Sequence, residues 1–217
     1  MTASPDPTTA SLLDGPGFEK LLAHLAGQGY QLVGPRLSQG GLEYGRIQGA
    51  GDLARGWTAE QAPGRYRLRR RDDGAVFAHT GGQGSLKSFL YPPRSRLWRA
   101  ERTADGLAVT GQAETPVRYA LIGVRPCDLQ AVAVLDRVFQ SRHVDCAYRT
   151  RREHAFMVAA NCIPPAATCF CASMGTGPRA TEGYDLVLTE LTASGAPTSS
   201  EGEGPAAARH PDRSPCW

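Results

Sequence analysis

The sequence predicts an α/β fold: a β-rich N-terminal portion, then a βαβ unit with a small parallel or mixed sheet, then a disordered C-terminal tail. Three observations carry that prediction. Two nearly continuous apolar runs, Val117 to Val124 and His154 to Ala160, flank a helical pattern, a spacing that makes the two strands parallel. Short strand-like runs broken by Gly, Asp and Pro fill the region before them. From Ser194 onward Gly, Pro, Ser and Ala dominate, and such a segment buries too little surface to offset its ordering entropy.

In order, residues 1–10 read as a disordered leader, and a helix follows within "SLLDGPGFEKLLAHLAGQGY". Phe18, Leu21, Leu22 and Leu25 recur there at helical spacing, and Gly27 and Gly29 close it. The rest of the portion 11–115 is β-rich, with "YRLRRRD", "AVFAHT" and "GLAVTGQ" as strands. The βαβ portion spans 116–193. Its first strand, "VRYALIGV", runs through "RPCD" into the helix "LQAVAVLDRVFQ", whose polar stripe (Gln130, Asp136, Arg137, Gln140) is narrow enough to predict a largely covered helix. "HAFMVAA" is the second strand and "YDLVLTEL" the third; residues 194–217 form the tail.

Composition is that of an ordinary globular chain, with 41% apolar and 21% charged residues. A net charge of +3 is too slight to argue for nucleic acid. Basic residues do gather in "RYRLRRR" (Arg65 to Arg71) and "RSRLWRAER" (Arg94 to Arg102), as solvated faces or as a docking surface for an acidic partner. No apolar run is long enough for a membrane span, and residues 1–17 do not read as a secretory signal. The expected location is the cytoplasm, where thiols stay reduced, so six cysteines suggest metal or thiol chemistry before disulfides.

The stretch "NCIPPAATCFCASMGTGP" gathers Cys162, Cys169 and Cys171 in a segment unsuited to regular structure. Ligands in a parallel sheet bind beyond the carboxyl ends of the strands. Cys127 follows the first strand and Cys162 the second, so both are expected at one edge, joined there by Cys169 and Cys171. Cys146 precedes the second strand and belongs at the other end, and Cys216 lies in the tail as an incidental residue.

A disulfide within Cys169-x-Cys171 is the weakest account, because extended neighbours place their Cα atoms ~6.6 Å apart and bridging so close in sequence strains the geometry. Zinc fits four thiolates, but with Zn–S near ~2.3 Å it needs the sulfurs packed closely, usually through paired Cys-x₂₋₄-Cys knuckles. A 4Fe-4S cluster accepts a wider footprint and irregular spacing. Cys127, at a helix start, is placed where the dipole favours a thiolate. Gly175 and Gly177 can expose backbone N–H groups or merely turn the chain. Asp128 can cap the helix, and Arg125 can offset negative charge or pair with a carboxylate. "GGQGSL" (Gly81 to Leu86) lacks the ending of a phosphate loop and reads as a turn.

"LIGVRPCDLQAVAVLDRVF", "VAANCIPPAATCFCASMGTGP", "YDLVLTEL" and "GSLKSFLYPPRSRLW" resemble the amino-terminal half of a family of 4Fe-4S dicluster-domain proteins. That family comprises the sulfhydrogenase beta subunit together with its counterpart in anaerobic sulfite reductase. The resemblance covers roughly Ser11 to Leu191. It implies a cytoplasmic iron–sulfur subunit that passes electrons between a hydrogenase, or a sulfite or sulfur reductase, and a flavin-containing diaphorase subunit. The family continues into a ferredoxin-like module with two Cys-x₂-Cys-x₂-Cys-x₃-Cys runs, which this chain lacks; the expectation is a truncated member or a free-standing front half.

Three functions compete. The first is an electron-transfer subunit using Cys127, Cys162, Cys169 and Cys171 as ligands of a 4Fe-4S cluster, with zinc as the alternative metal. The second is a thiol enzyme with Cys127 as nucleophile, for which no histidine is placed nearby by sequence. The third is a non-redox interaction module or inactive remnant that docks through the basic segments.

Overall fold

The computed structural model describes residues 10–80, 84–104, 106–111, 117–163 and 165–192. The tail, nearly all of the leader, and Cys216 lie outside those residues. Helix α1 (Gly15–Gly27) opens with the Asp14 carboxylate accepting the Gly17 N–H at 2.8 Å, which satisfies one of the free N–H groups at the helix start. Strands β1 (Gln31–Ser38) and β2 (Gly41–Arg46) form a hairpin. Two further hairpins follow: β3 (Trp57–Ala62) with β4 (Arg65–Arg70), and β5 (Trp98–Thr103) with β6 (Gly106–Gly111), with the one-turn helix α2 (Lys87–Leu90) between them.

The βαβ unit is present as β7 (Tyr119–Val124), α3 (Pro126–Phe139), a further helix α4 (Cys146–Glu153), and β8 (Phe156–Ala160), followed by β9 (Leu186–Leu188). The main sheet has the order β2-β1-β7-β8-β9. Strands β1, β7, β8 and β9 are parallel, and β2 is antiparallel at one edge. The sheet is therefore mixed, and the first hairpin and the βαβ unit share it.

Successive strand residues face opposite ways, and the two apolar clusters follow that alternation. Leu32, Ala120, Ile122, Val158 and Ala160 pack under α1 with Leu53 and Phe77. Val33, Leu121, Met157 and Ala159 pack on the other side with Leu90, Leu129, Val132 and Tyr148. Val124 would share a face with Ile122 in a regular strand, yet it belongs to the second cluster. Gly123 explains the change: the β7–β8 register shifts there, a bulge that inserts one residue and resets the parity. Its φ of 73° suits glycine, and an added Cβ would stand 2.7 Å from the Phe77 ring.

Two expectations need correction, and one element was not foreseen. "AVFAHT" is not a strand. Its backbone is held instead by the Glu190 carboxylate, which accepts both the Val76 and Phe77 N–H groups at 2.7 Å, while the Ala75 carbonyl accepts from Gly56. Helix α3 is covered on one side only: Pro126, Leu129 and Val132 are buried, whereas Val134 and Val138 are exposed. Helix α4, whose sequence CAYRTRRE is strongly polar, was not expected; it is anchored by buried Tyr148, whose hydroxyl donates to Asp136 at 2.7 Å. No helix among the described residues is long and apolar enough to cross a membrane.

A candidate thiol site at the C-terminal rim of the sheet

The parallel strands bring Cys127 and Cys162 to the same rim. Cys127 is the second residue of α3, directly after β7, and Cys162 lies two residues past the end of β8. The segment after Cys162 is folded back on that rim. The Cys162 N–H donates to the Pro178 carbonyl at 2.9 Å, and the Asn161 side chain bridges to Ala180 N–H and Thr189, both at 2.8 Å. Within the loop, Cys169 N–H donates to Ala166 O at 3.0 Å while Ala166 N–H meets the Cys169 sulfur at 3.2 Å. The Cys171 carbonyl accepts from Met174 and Thr176 at 3.1 and 2.8 Å, closing a tight turn.

Gly177 is the joint between this loop and α3. Its φ is 63°, and an added Cβ would stand 3.4 Å from Pro126 and 3.6 Å from the Cys171 sulfur. Those are ordinary contact distances, so it is the left-handed backbone, and not crowding, that favours glycine where the loop carrying Cys171 meets the helix start carrying Cys127. Gly175, also at positive φ, shapes the turn before it.

Electrostatics join the thiols further. Burial pushes the Cys162 thiol above its ordinary value; Arg125 pulls it down, and Cys127, Cys169 and Cys171 each push it up. Cys127 is raised too, first by desolvation, then lowered by Arg125 and raised by Asp128 and Cys169. Its residue surface is exposed while its sulfur stands in a crowded rim, so desolvation prevails over the helix terminus. The backbone at the helix start does pull the Cys127 thiol down, in the expected direction, but burial outweighs it. None of these four cysteines is in a disulfide. Cys146, at the start of α4 and ahead of β8, stands outside the set, as the strand direction requires.

Behind the thiols lies a half-buried polar network that the sequence did not announce. Arg125 and Asp128 pair at 2.9 Å, and Asp128 also reaches back to the Arg125 N–H at 3.4 Å, so it braces the helix start from inside the first turn. Burial opposes the Arg125 charge, but Asp128, Tyr44 and Cys127 outweigh it and hold the guanidinium firmly protonated. The Tyr44 hydroxyl donates to the Gly123 carbonyl at 2.8 Å and stands 3.2 Å from Asp128. Burial, followed by Asp128, pushes that phenol well above its ordinary value, so it stays a donor. His79 lines a small pocket with Tyr44, Glu43 and Arg125. It is 3% exposed, and among the described residues neither ring nitrogen has a hydrogen-bond partner. Its place inside the apolar run "AVFAHT" is the one sequence signal of its burial. A polar cleft between α3 and the loop 175–183, lined by Gln130, Asp136, Arg152 and Arg179, opens beside the thiol rim.

Among the described residues, no group of three or more His, Cys, Asp or Glu side chains could hold a metal ion as placed. The thiols thus share a neighbourhood without forming the close knot that a single tetrahedral zinc demands, where Zn–S of ~2.3 Å brings sulfurs within roughly 4 Å. Each thiolate of a 4Fe-4S cubane binds a different iron, so its sulfurs stand further apart. A bound cluster of that kind would call on the four thiols together, with Arg125 beside them to offset its negative charge.

Against known proteins, the chain is 34% identical over 105 residues to sulfhydrogenase 2 subunit beta of Pyrococcus furiosus. That alignment takes in 48% of this chain and 29% of the relative, so the chain spans well under two thirds of that protein's length. The likeness is to part of a hydrogenase-complex subunit. No protein-family model matches the chain, and no solved structure matches it.

Proposed function

We propose that this chain is an iron–sulfur electron-transfer subunit of an anaerobic oxidoreductase complex, with Cys127, Cys162, Cys169 and Cys171 holding a 4Fe-4S cluster. The observation that carries the reading is that Cys127 follows β7 and Cys162 follows β8 at one rim of a parallel sheet, with the loop that carries Cys169 and Cys171 folded back on that rim. The partial likeness to a sulfhydrogenase beta subunit supports the class of complex. The cluster, when bound, supplies one-electron transfer. The protein's own residues have other tasks. Gly177 turns the loop toward α3 through its positive φ, Arg125 offsets negative charge at the sulfurs, and Asp128 and Tyr44 hold Arg125 and the bulge in place. The expected partners, in the cytoplasm, are a hydrogenase or sulfite or sulfur reductase subunit on one side. On the other stands a flavin-containing diaphorase subunit.

Nucleophilic catalysis by Cys127 is disfavoured, because its thiol is pushed above the ordinary value. The histidine of the network behind it, His79, has its pKa depressed by burial and carries no hydrogen bond, so it is no base for that thiol. Anaerobic reconstitution with iron and sulfide tests the main reading. Uptake of about four iron and four sulfide per chain is expected, together with a paramagnetic signal on reduction, both lost in the Cys169→Ala/Cys171→Ala variant. No uptake by the parent chain, or undiminished uptake by the variant, overturns it.

A further inference from the structure

The β5–β6 hairpin is the part of the fold that the body leaves uncovered. All twelve residues of its two strands are exposed. Its register is regular: Trp98 faces Gly111, Ala100 faces Val109, and Arg102 faces Leu107. These pairs lie on one side of the ribbon. The other side carries Arg99, Glu101 and Thr103 opposite Thr110, Ala108 and Gly106, with Arg99 and Glu101 paired at 2.5 Å. One face is thus polar and internally paired. The other presents Trp98 at 60%, Leu107 at 67% and Val109 at 61% exposure, beside Leu97 at 76%.

Such an arm is at odds with water. An isolated two-stranded hairpin is marginally stable, and among the described residues neither strand pairs with a third, which leaves both outer edges open. Its charge is also one-sided: Arg94, Arg96, Arg99 and Arg102 outnumber Glu101 and Asp105 between residues 94 and 111.

We propose that the β5–β6 hairpin is a docking arm for an acidic surface of a different protein subunit, one with an apolar recess that receives Trp98, Leu107 and Val109. A second copy of the chain fits poorly. Stacking two copies of this face sets like charge against like charge, because each carries Arg102 opposite Leu107, and it offers Trp98 no recess to enter. Nucleic acid would engage the arginines but give the tryptophan and aliphatic side chains no apolar recess. An acidic protein satisfies both halves of the surface, since interfaces favour Trp and Arg as anchors and opposite charge speeds and orients docking. This proposal does not depend on the iron–sulfur reading.

The test places a photo-activated cross-linking residue at Leu107 in the full chain, expressed in its native host and purified at low salt, with the products identified by mass spectrometry. The expected result is one stoichiometric polypeptide other than this chain, attached through a segment with more Asp and Glu than Lys and Arg. The Trp98→Ser/Val109→Ser variant should lower the cross-linked fraction about tenfold with an unchanged melting temperature, and raised salt should lower it further. Attachment to a second copy, to nucleic acid or to lipid overturns the proposal. So does attachment to a neutral or basic segment, the absence of any partner adduct, or an adduct insensitive to the variant. If the variant melts early, Leu107 cross-linking in the parent chain at low and high salt decides the matter alone.

Discussion

His79 gives the most direct measure of the network behind the thiols. The imidazole is buried and unpartnered, and burial, reinforced by the Arg125 charge, depresses its pKa to about 4. The unfolded chain should titrate near ~6.5, so below that pH it takes up a proton that the folded protein refuses. This contribution to stability is fully present above about pH 6.5 and is lost as pH falls toward 4. The interval between about 4 and ~6.5, at ~1.4 kcal/mol for each tenfold step, corresponds to about 3 kcal/mol. That is a large share of a typical stability of roughly 5–15 kcal/mol. His79→Phe keeps a ring of similar size and removes the titration, as well as two unsatisfied nitrogens whose burial costs free energy. Urea unfolding of both proteins between pH 7.5 and 4.5 should show curves that diverge, with the parent losing up to about 3 kcal/mol more than the variant. Curves that stay parallel across that range would refute the burial argument.

Three other perturbations probe the same architecture. Glu190→Ala removes the acceptor of the Val76 and Phe77 N–H groups and should cost about 3 kcal/mol in chemical unfolding, from two charge-assisted bonds; a loss below ~0.5 kcal/mol would mean the segment is held otherwise. Gly123→Ala sets a Cβ against Phe77 at a φ of 73°, and the resulting strain should lower stability by at least ~2 kcal/mol or prevent folding, read by thermal melting. Arg125→Gln removes the charge that pulls the Cys127 and Cys162 thiols downward. The pH profile of thiol alkylation should therefore move up in that variant, and a profile that stays or moves down would contradict the placement of Arg125.

How much of this was legible in the sequence depends on where each segment's partners lie. Strands β7 and β8 announced themselves because strands buried on both faces are apolar nearly throughout, and the parallel pairing followed from the helix between them. Because strand direction fixes which ends coincide, Cys127 and Cys162 could be assigned to one rim from the chain alone. Strands β1 and β2 were harder to delimit, since Gly34, Pro35 and Gly45 interrupt their apolar pattern. "AVFAHT" misled for a different reason. Its composition suits a strand, but its donors are satisfied by a side chain more than a hundred residues away. Tyr44 and His79 were invisible as neighbours of Arg125 for the same cause, because their proximity arises from tertiary contact between β2, the 75–80 segment and the head of α3.

The electrostatics of the rim bear on its chemistry more directly than topology does. A helix start ordinarily lowers a thiol's pKa, yet here crowding at the C-terminal edge raises both Cys127 and Cys162, and their sulfurs also oppose one another. The rim by itself therefore keeps these two thiols protonated at neutral pH. Arg125 lowers both, but its charge is shared with Asp128 and is not enough to reverse the direction. Only added positive charge at the sulfurs could turn such a set into thiolates, and metal binding to cysteine ligands does so by displacing their protons. A nucleophile would need the opposite arrangement, with a thiolate already formed and a base beside it. The same burial that removes Cys127 from thiol catalysis also means that any metal bound at the rim would have to displace these protons against it, so uptake should strengthen as pH rises.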